Sequence, residues 1–295
     1  MKILSVKTEK KAEGTRRSGS QRLRRLLIRN RDFLLPGITL LILILVAFLA
    51  PLLTPYDPTK QVYGDELLGP SFQHWLGTDA LGRDLLSRTL FGMRLSLTIG
   101  LVAATIGGIL GLSIGLAAGY YEGWLDDILG RLLDTLLAFP ALIVGLTVAV
   151  ILGPSALNAA IAAAIINIPI IARITRAGII GEKDREYSQA AVALGAGDGR
   201  VLLKHLLPNI TPAILVQLTL TIAHSMILEA GLSFLGLGAQ PPEPSLGVML
   251  QNARSYMRDA PWLAVVPGAS LSLLLLAISF FADALRDATD PRKRG

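Results

Sequence analysis

Charge-free stretches long enough to cross a lipid bilayer constrain this chain more than any other feature of its sequence. A hydrocarbon core about 30 Å thick needs about 20 apolar residues in a helix that rises about 1.5 Å per residue. Phe33 to Thr54 is one such stretch and Leu95 to Tyr121 is another. Thr135 to Ala172 holds 38 residues without a charge, too many for one helix, and Gly153-Pro154-Ser155 is a turn signal that divides it into two spans. Leu206 to Leu228, extending past Glu229 toward Gly238, and Ala260 to Ala282 bring the total to six. With 52% hydrophobic and 17% charged side chains, the chain reads as an all-α integral membrane protein with six transmembrane helices.

Basic residues orient these spans. With the N-terminus inside, the inner segments hold 22 of the lysines and arginines and the outer segments hold six, which puts both termini in the cytoplasm. One inner loop runs against the trend, since Glu122, Asp126, Asp127 and Asp134 outnumber Arg131, but acidic residues weigh little in this rule. A cleaved signal peptide is the competing reading of the first span; its apolar run is too long, and no small-residue cleavage site follows. The organisation is therefore a basic cytoplasmic tail (1–32), a first span (33–54), an extracytoplasmic segment (55–94), a core of five spans (95–283) with an inner loop (173–208), and a C-terminal tail (284–295). The tail before Gln21 is expected to be disordered, with the arginines from Arg22 to Arg31 beside anionic lipid headgroups. There is no cysteine, so disulfides and thiolate chemistry are excluded. The net charge of +6 is not gathered on a soluble face, so nucleic acid is not an expected partner.

The longest inner loop between spans carries EYSQAAVALGAGDGRVLLKHLLPN, residues 186–209. Its pattern predicts a short helix over Asp184 to Gly195, started by Asp184 or Ser188 and ended by Gly195 or Gly197 in a left-handed conformation. Arg200 to Leu206 reads as a second short helix, broken by Pro208 before span five. The small side chains of Ala190, Ala191 and Ala193 permit close approach by another protein, and an amphipathic helix on the lipid surface is the alternative.

Within the spans, Gly107, Gly111, Gly115 and Gly119 recur on one helix face, which suits tight helix packing or, less economically, a substrate contact. Thr78 to Leu90 reads as an interfacial helix capped by Thr78 or Asp79 with an Asp84/Arg88 pair; contact with an extracytoplasmic protein is the alternative. Polar residues in lipid are functional candidates because each is costly unless satisfied. Asn167, Gln217, His224 and Glu229 are the ones present. Gln217 and His224 share a helix face by spacing, so they line a pathway or bond neighbouring helices. Glu229 is expected near the outer interface, within reach of water or an arginine. His74, His205 and His224 are scattered over separate segments and form no metal cluster or catalytic triad.

Gln189-Ala190-Ala191, three residues, Gly195, nine residues, His205, one residue, Leu207-Pro208 resembles the EAA loop of bacterial ABC importer permeases, with Gln189 in place of Glu and His205 in place of Ile. His74-Trp75-Leu76-Gly77-Thr78-Asp79 with Gly82-Arg83-Asp84 and Ser87-Arg88 is similar to the segment before span two in the dipeptide, oligopeptide and nickel permease family. So is the run from Glu229 to Gly238 with Gln240-Pro241-Pro242 and Gly247 to Leu250, and so is the end from Asp283 to Asp287 with Asp290-Pro291. Together these resemble the C-type subunit of that family from span one onward.

The resemblance implies the type I ABC importer permease fold. It also implies a homologous second permease, two cytoplasmic ATP-binding subunits and an extracytoplasmic substrate-binding protein as partners in the bacterial inner membrane. On this reading Arg185, Glu186, Gln189, Ala190, Ala191, Gly195, His205, Leu207 and Pro208 form the surface on which an ATPase docks. The chain performs no covalent chemistry and binds no cofactor itself; ATP and Mg belong to the ATPases, and no G-x4-G-K-[ST] phosphate loop occurs in the sequence. Asn167, Gln217 and His224 are the candidates for the translocation pathway. Absence of cysteine and a single histidine in the spans favour peptides over nickel or another small solute. A gradient-driven carrier would place acidic groups at the midplane, and only Glu229 approaches that.

Overall fold

The computed structural model describes residues 31–289, so most of the expected basic tail and the Asp290-Pro291 ending lie outside the described residues. Their regular secondary structure is helical, apart from an isolated bridge between Thr78 and Asp84, and residues 54–84 and 235–245 form no helix. The helices are α1 (Arg31–Phe48), α2 (Ala50–Leu53), α3 (Leu85–Tyr121), α4 (Gly123–Leu137), α5 (Ala141–Leu152), α6 (Ala156–Lys183), α7 (Glu186–Ala193), α8 (Asp198–Arg200), a π turn (Val201–Leu206), α9 (Leu207–Phe234), α10 (Leu246–Ala253) and α11 (Trp262–Thr289). By length and composition α3, α6, α9 with the turn before it, and α11 can each cross a bilayer, and the bent pair α4 and α5 makes five.

The expected first span, Phe33 to Thr54, forms α1 and the single turn α2, so its longest apolar helix is shorter than those four. Leu35, Ile38, Leu41, Ile42 and Leu45 of α1 are exposed at helical spacing, a stripe that only an apolar surrounding tolerates.

Span two begins ten residues earlier than its charge-free run, because α3 starts at Leu85 and carries Arg88 and Arg94. No separate interfacial helix forms over Thr78 to Leu90: residues 78–84 make a tight bridged turn and Asp84 caps α3, accepting from the Ser87 amide at 2.8 Å. That role consumes the carboxylate that spacing would pair with Arg88. Asp84 instead takes His74 Nδ1 at 2.9 Å.

The long charge-free run breaks twice. Gly153-Pro154-Ser155 separates α5 from α6, with Ser155 accepting from the Asn158 amide at 3.1 Å. A second break at Ala138 to Pro140 bends α4 against α5 by 89°. The proline sets it, since α5 is only 12 residues long and starts directly after Pro140. The acidic inner loop is thereby a helix: Asp126 pairs with Arg176, Asp134 with Arg173, and Glu122 with Lys183 at 3.1 Å. Arg173 and Arg176 are not loop residues, because α6 continues to Lys183.

The core is built on the glycine ladder of α3. A methyl group at Gly107, Gly111, Gly115 or Gly119 would stand 3.0, 2.9, 2.5 or 2.9 Å from the carbonyl oxygens of Ala164, Ile168, Ala172 and Arg176, so α3 and α6 touch backbone to backbone. Packing accounts for these glycines. Gly100 and Gly108, also on α3, admit Ile222 and Leu218 of α9.

Candidate functional site

The loop between α6 and α9 folds as a small helix stapled to the helices on either side. α7 spans Glu186 to Ala193, inside the expected Asp184–Gly195 window, and neither expected cap forms: Arg185 sits at the N-cap without a side-chain bond, and Ser188 is buried. Gly195 ends the helix at φ +82°, the left-handed geometry that glycine adopts without strain. Tyr187 anchors it. Its hydroxyl donates to Glu182 Oε2 at 2.6 Å on α6 and accepts from Asn209 Nδ2 at 3.0 Å on α9. Burial, then the bond to Glu182, hold the Tyr187 phenol above its ordinary range, which keeps the donor protonated.

Pro208 does not break the chain. The preceding residues Val201 to Leu206 form a π turn, whose wider bonding pattern accommodates a proline in the first turn of α9, where its missing N–H costs nothing. The helix is thus continuous from Asp198 to Phe234. Below it Ile179, Val201, Leu206, Ile210 and Ile214 pack as one apolar cluster with Leu112 and Leu116 of α3. Tyr120 at the end of α3 reaches Asp198 Oδ1 at 3.0 Å, and Lys183 Nζ donates to the Tyr120 carbonyl at 2.7 Å.

What this scaffold presents outward is specific. Arg185, Glu186, Gln189, Ala190, Gly195 and Pro208 are exposed, while Ala191, His205 and Leu207 are half-buried. Three large apolar side chains stand among them, Val192 at 53%, Leu194 at 89% and Leu203 at 60% exposure. Sequence reasoning passed over Leu194 and Leu203, although both flank the small-residue pattern.

The pathway candidates are not brought together. Asn167 is buried and spans two helices, its Nδ2 donating to the Ala163 carbonyl at 2.8 Å and to Ser225 Oγ at 3.3 Å. Gln217 is buried without a bond to another described residue, and His224 is exposed. Glu229 reaches neither water nor an arginine. It is fully buried, and Ser96 on α3, Ser233 on α9 and Ser245 ahead of α10 donate to its carboxylate at 3.0, 2.7 and 2.8 Å. The chain after α9 folds back and lays α10 over it. So close is this contact that a methyl group on Gly247 would fall on the Ala230 carbonyl. Ser233 was legible one helical turn from Glu229; Ser96 and Ser245 carry no local signal.

Known proteins are similar to this chain in sequence and in fold. The family described as binding-protein-dependent transport system inner membrane component matches residues 111–295, and the N-terminal TM domain of oligopeptide transport permease C matches residues 19–70. A dipeptide transport system permease protein of Alkalihalophilus pseudofirmus is 41% identical over 251 residues, covering 85% of this chain and 83% of that protein. A glutathione transport system permease protein of Salmonella typhimurium is 45% identical over 263 residues, covering 89% and 87%. In fold, the chain is similar to the MetNI methionine ABC transporter solved in inward facing conformations, with a TM-score of 0.59 at 19% identity over 70% of this chain and 98% of that one. An amino acid ABC transporter crystallised with histidines gives 0.52 at 17% identity, over 69% and 94%. The chain belongs to the binding-protein-dependent inner membrane components, the permeases of ABC importers, within their dipeptide and oligopeptide C-type branch.

Proposed function

We propose that this chain forms half of the translocation pathway of a bacterial inner-membrane importer for di- or oligopeptides, and that partner ATPases drive it through α7. The observation that carries the reading is the exposed seat around α7, where Val192, Leu194 and Leu203 surround Ala190 and Gly195 on a scaffold tied to both α6 and α9. A partner cleft that covers those apolar side chains gains from their burial, and the alanines let it approach the backbone. Movement of the seat then reaches the spans through Tyr187, Glu182 and Asn209.

The remaining parts of the reading follow the same line. Six spans with cytoplasmic termini agree with the basic-residue asymmetry. They also agree with the ion pairs that join residues 122–134 to residues 173–183 on one side of the bilayer. ATP and Mg are bound by two ATPase subunits, a second permease supplies the other half of the pathway, and an extracytoplasmic binding protein delivers solute. Dipeptides and glutathione, named for the two relatives, are both peptides, which supports a peptide as the solute here.

The test is to tag the chain in its native membrane, solubilise it gently and identify what co-purifies in stoichiometric amount. A second permease with one or two ATPases is the expected result. A chain that comes down alone, yet moves solute in liposomes without ATP, would overturn the reading in favour of a gradient-driven carrier.

A further inference from the structure

A second site lies at the other end of the helices. Arg83 and Arg88 are 7% and 2% exposed, and both lean on one carboxylate: Arg83 Nε donates to Asp79 Oδ2 at 2.7 Å, and Arg88 Nε stands 3.4 Å from the same oxygen. Arg88 Nη1 also donates to the Pro58 carbonyl at 2.8 Å. Asp84, the other nearby acid, is taken by His74 and by the amide and hydroxyl of Ser87. Two nearly buried guanidiniums therefore share one counter-charge. Among the described residues, the Nη groups of Arg83 and Nη2 of Arg88 have no hydrogen-bond partner.

The same arginines line a cavity of about 520 Å³, together with Asp79, Gln251, Asn252 and Tyr256. An excess buried positive charge is costly until an anion meets it, and the planar fork of a guanidinium fits a carboxylate. The volume lies within the usual range for a small-molecule site, and exceeds what one inserted acidic side chain would fill. Amide and hydroxyl groups on Gln251, Asn252 and Tyr256 match the remaining polar atoms of a peptide.

We propose that this cavity receives the free C-terminal carboxylate of a peptide solute, an assignment that rests on the peptide-importer reading above. Arg83 and Arg88 hold the carboxylate, and Asp79 keeps the two guanidiniums together without neutralising both.

The experiment uses the purified complex of both permeases and the ATPases, without the binding protein. Equilibrium binding of a dipeptide, its C-terminal amide and acetate is measured by calorimetry. The dipeptide is expected to bind about tenfold or more tightly than its amide, as a lost charge-assisted pair implies. Arg83→Gln should remove that preference and Arg83→Lys should retain part of it. Should Arg83→Gln fail to assemble, Asn252→Asp, which adds a carboxylate to the cavity and leaves the arginines in place, should weaken the dipeptide far more than the amide. Equal binding of dipeptide and amide to the unaltered complex would overturn the proposal. So would unchanged dipeptide binding in Arg83→Gln when a separate pull-down shows that the variant captures less of the binding protein, which would make the arginines a docking point for that protein. Peptide uptake by proteoliposomes of the full importer separates the two readings: no uptake removes the peptide assignment itself, whereas uptake with carboxylate-blind binding removes only the cavity.

Discussion

Ser245 Oγ donates to Glu229 Oε1 at 2.8 Å, joining the segment ahead of α10 to the far end of α9. The bond is one of three hydroxyl donors on a carboxylate with no exposed surface, so helices from three parts of the chain meet on one side chain. Glu229→Ala would strand all three hydroxyls and is expected to cost about 3 kcal/mol, against about 1 for Glu229→Gln, which keeps an acceptor. Thermal denaturation of the detergent-purified chain reads both. Equal losses would mean that the carboxylate itself, which both variants remove, carries the whole effect, and that the one amide oxygen kept by Gln does not substitute for it.

Replacing Gly115 with leucine drives a side chain into the Ala172 carbonyl and Thr175, where even a methyl group stands 2.5 and 2.6 Å away. Because that contact is backbone, α3 and α6 must part, and a loss of about 3 kcal/mol or more is expected. Gly130→Leu is the matched control, since nothing stands within 4 Å of that position. Comparable melting of the two variants would refute the ladder.

Charge reversal at Asp126 is expected to destabilise the chain, with Arg176→Asp restoring part of the loss in the double variant. The pair is partly exposed, so the coupling should be about 1 kcal/mol and should shrink at high salt. A thermodynamic cycle at two ionic strengths measures it. A salt-independent result would speak against an ion pair.

Ala190→Trp should leave the chain folded, because Ala190 is exposed, yet abolish co-purification of the ATPase. Gly195→Ala acts differently. No atom crowds that position, so the cost is the left-handed backbone, about 1 kcal/mol, and docking should weaken without vanishing. Pull-down yield at equal permease recovery ranks the two.

Tyr187→Phe removes the donor to Glu182 and should cost about 1 kcal/mol at neutral pH. Because folding raises the Tyr187 pKa, its contribution is fully present below the ordinary tyrosine value of about 10 and is lost as pH rises through the raised value. The stability difference between the two proteins should therefore be flat from pH 6 to about pH 9 and narrow above that. Melting curves across this range provide the check.

The apolar stretches and their order were legible because apolar length is a local property, read one stretch at a time, and four of them, or five with the bent pair, form helices long enough to cross a bilayer. The ends were less so. α3 starts at Leu85 although Arg88 and Arg94 follow, since a buried arginine paired with Asp79 can enter a helix that a charge count would stop. Pro140 sits in an unbroken apolar run and gave warning of a bend, but Gly153-Pro154 was the louder signal and drew the division by itself. Pro208 was over-read: a proline breaks an α-helix, and here the turn before it is not α. In the candidate sites, Gly195 was placed correctly by backbone rules. Glu229 was not, because its surroundings are assembled from Ser96 and Ser245, which lie 133 and 16 residues away.

The uninterrupted helix from Asp198 to Phe234 has a mechanical corollary. Its last 28 residues, at about 1.5 Å each, make a stiff shaft roughly 42 Å long. The π turn that leads into it carries the exposed Leu203, and its other end carries Glu229 under α10. A continuous helix transmits rotation in both directions, and the π turn at Val201–Leu206 and Pro212 are the places where it can bend. Whatever turns the Asp198 end also twists the Phe234 end, and whatever clamps the Phe234 end resists that rotation by the same free energy.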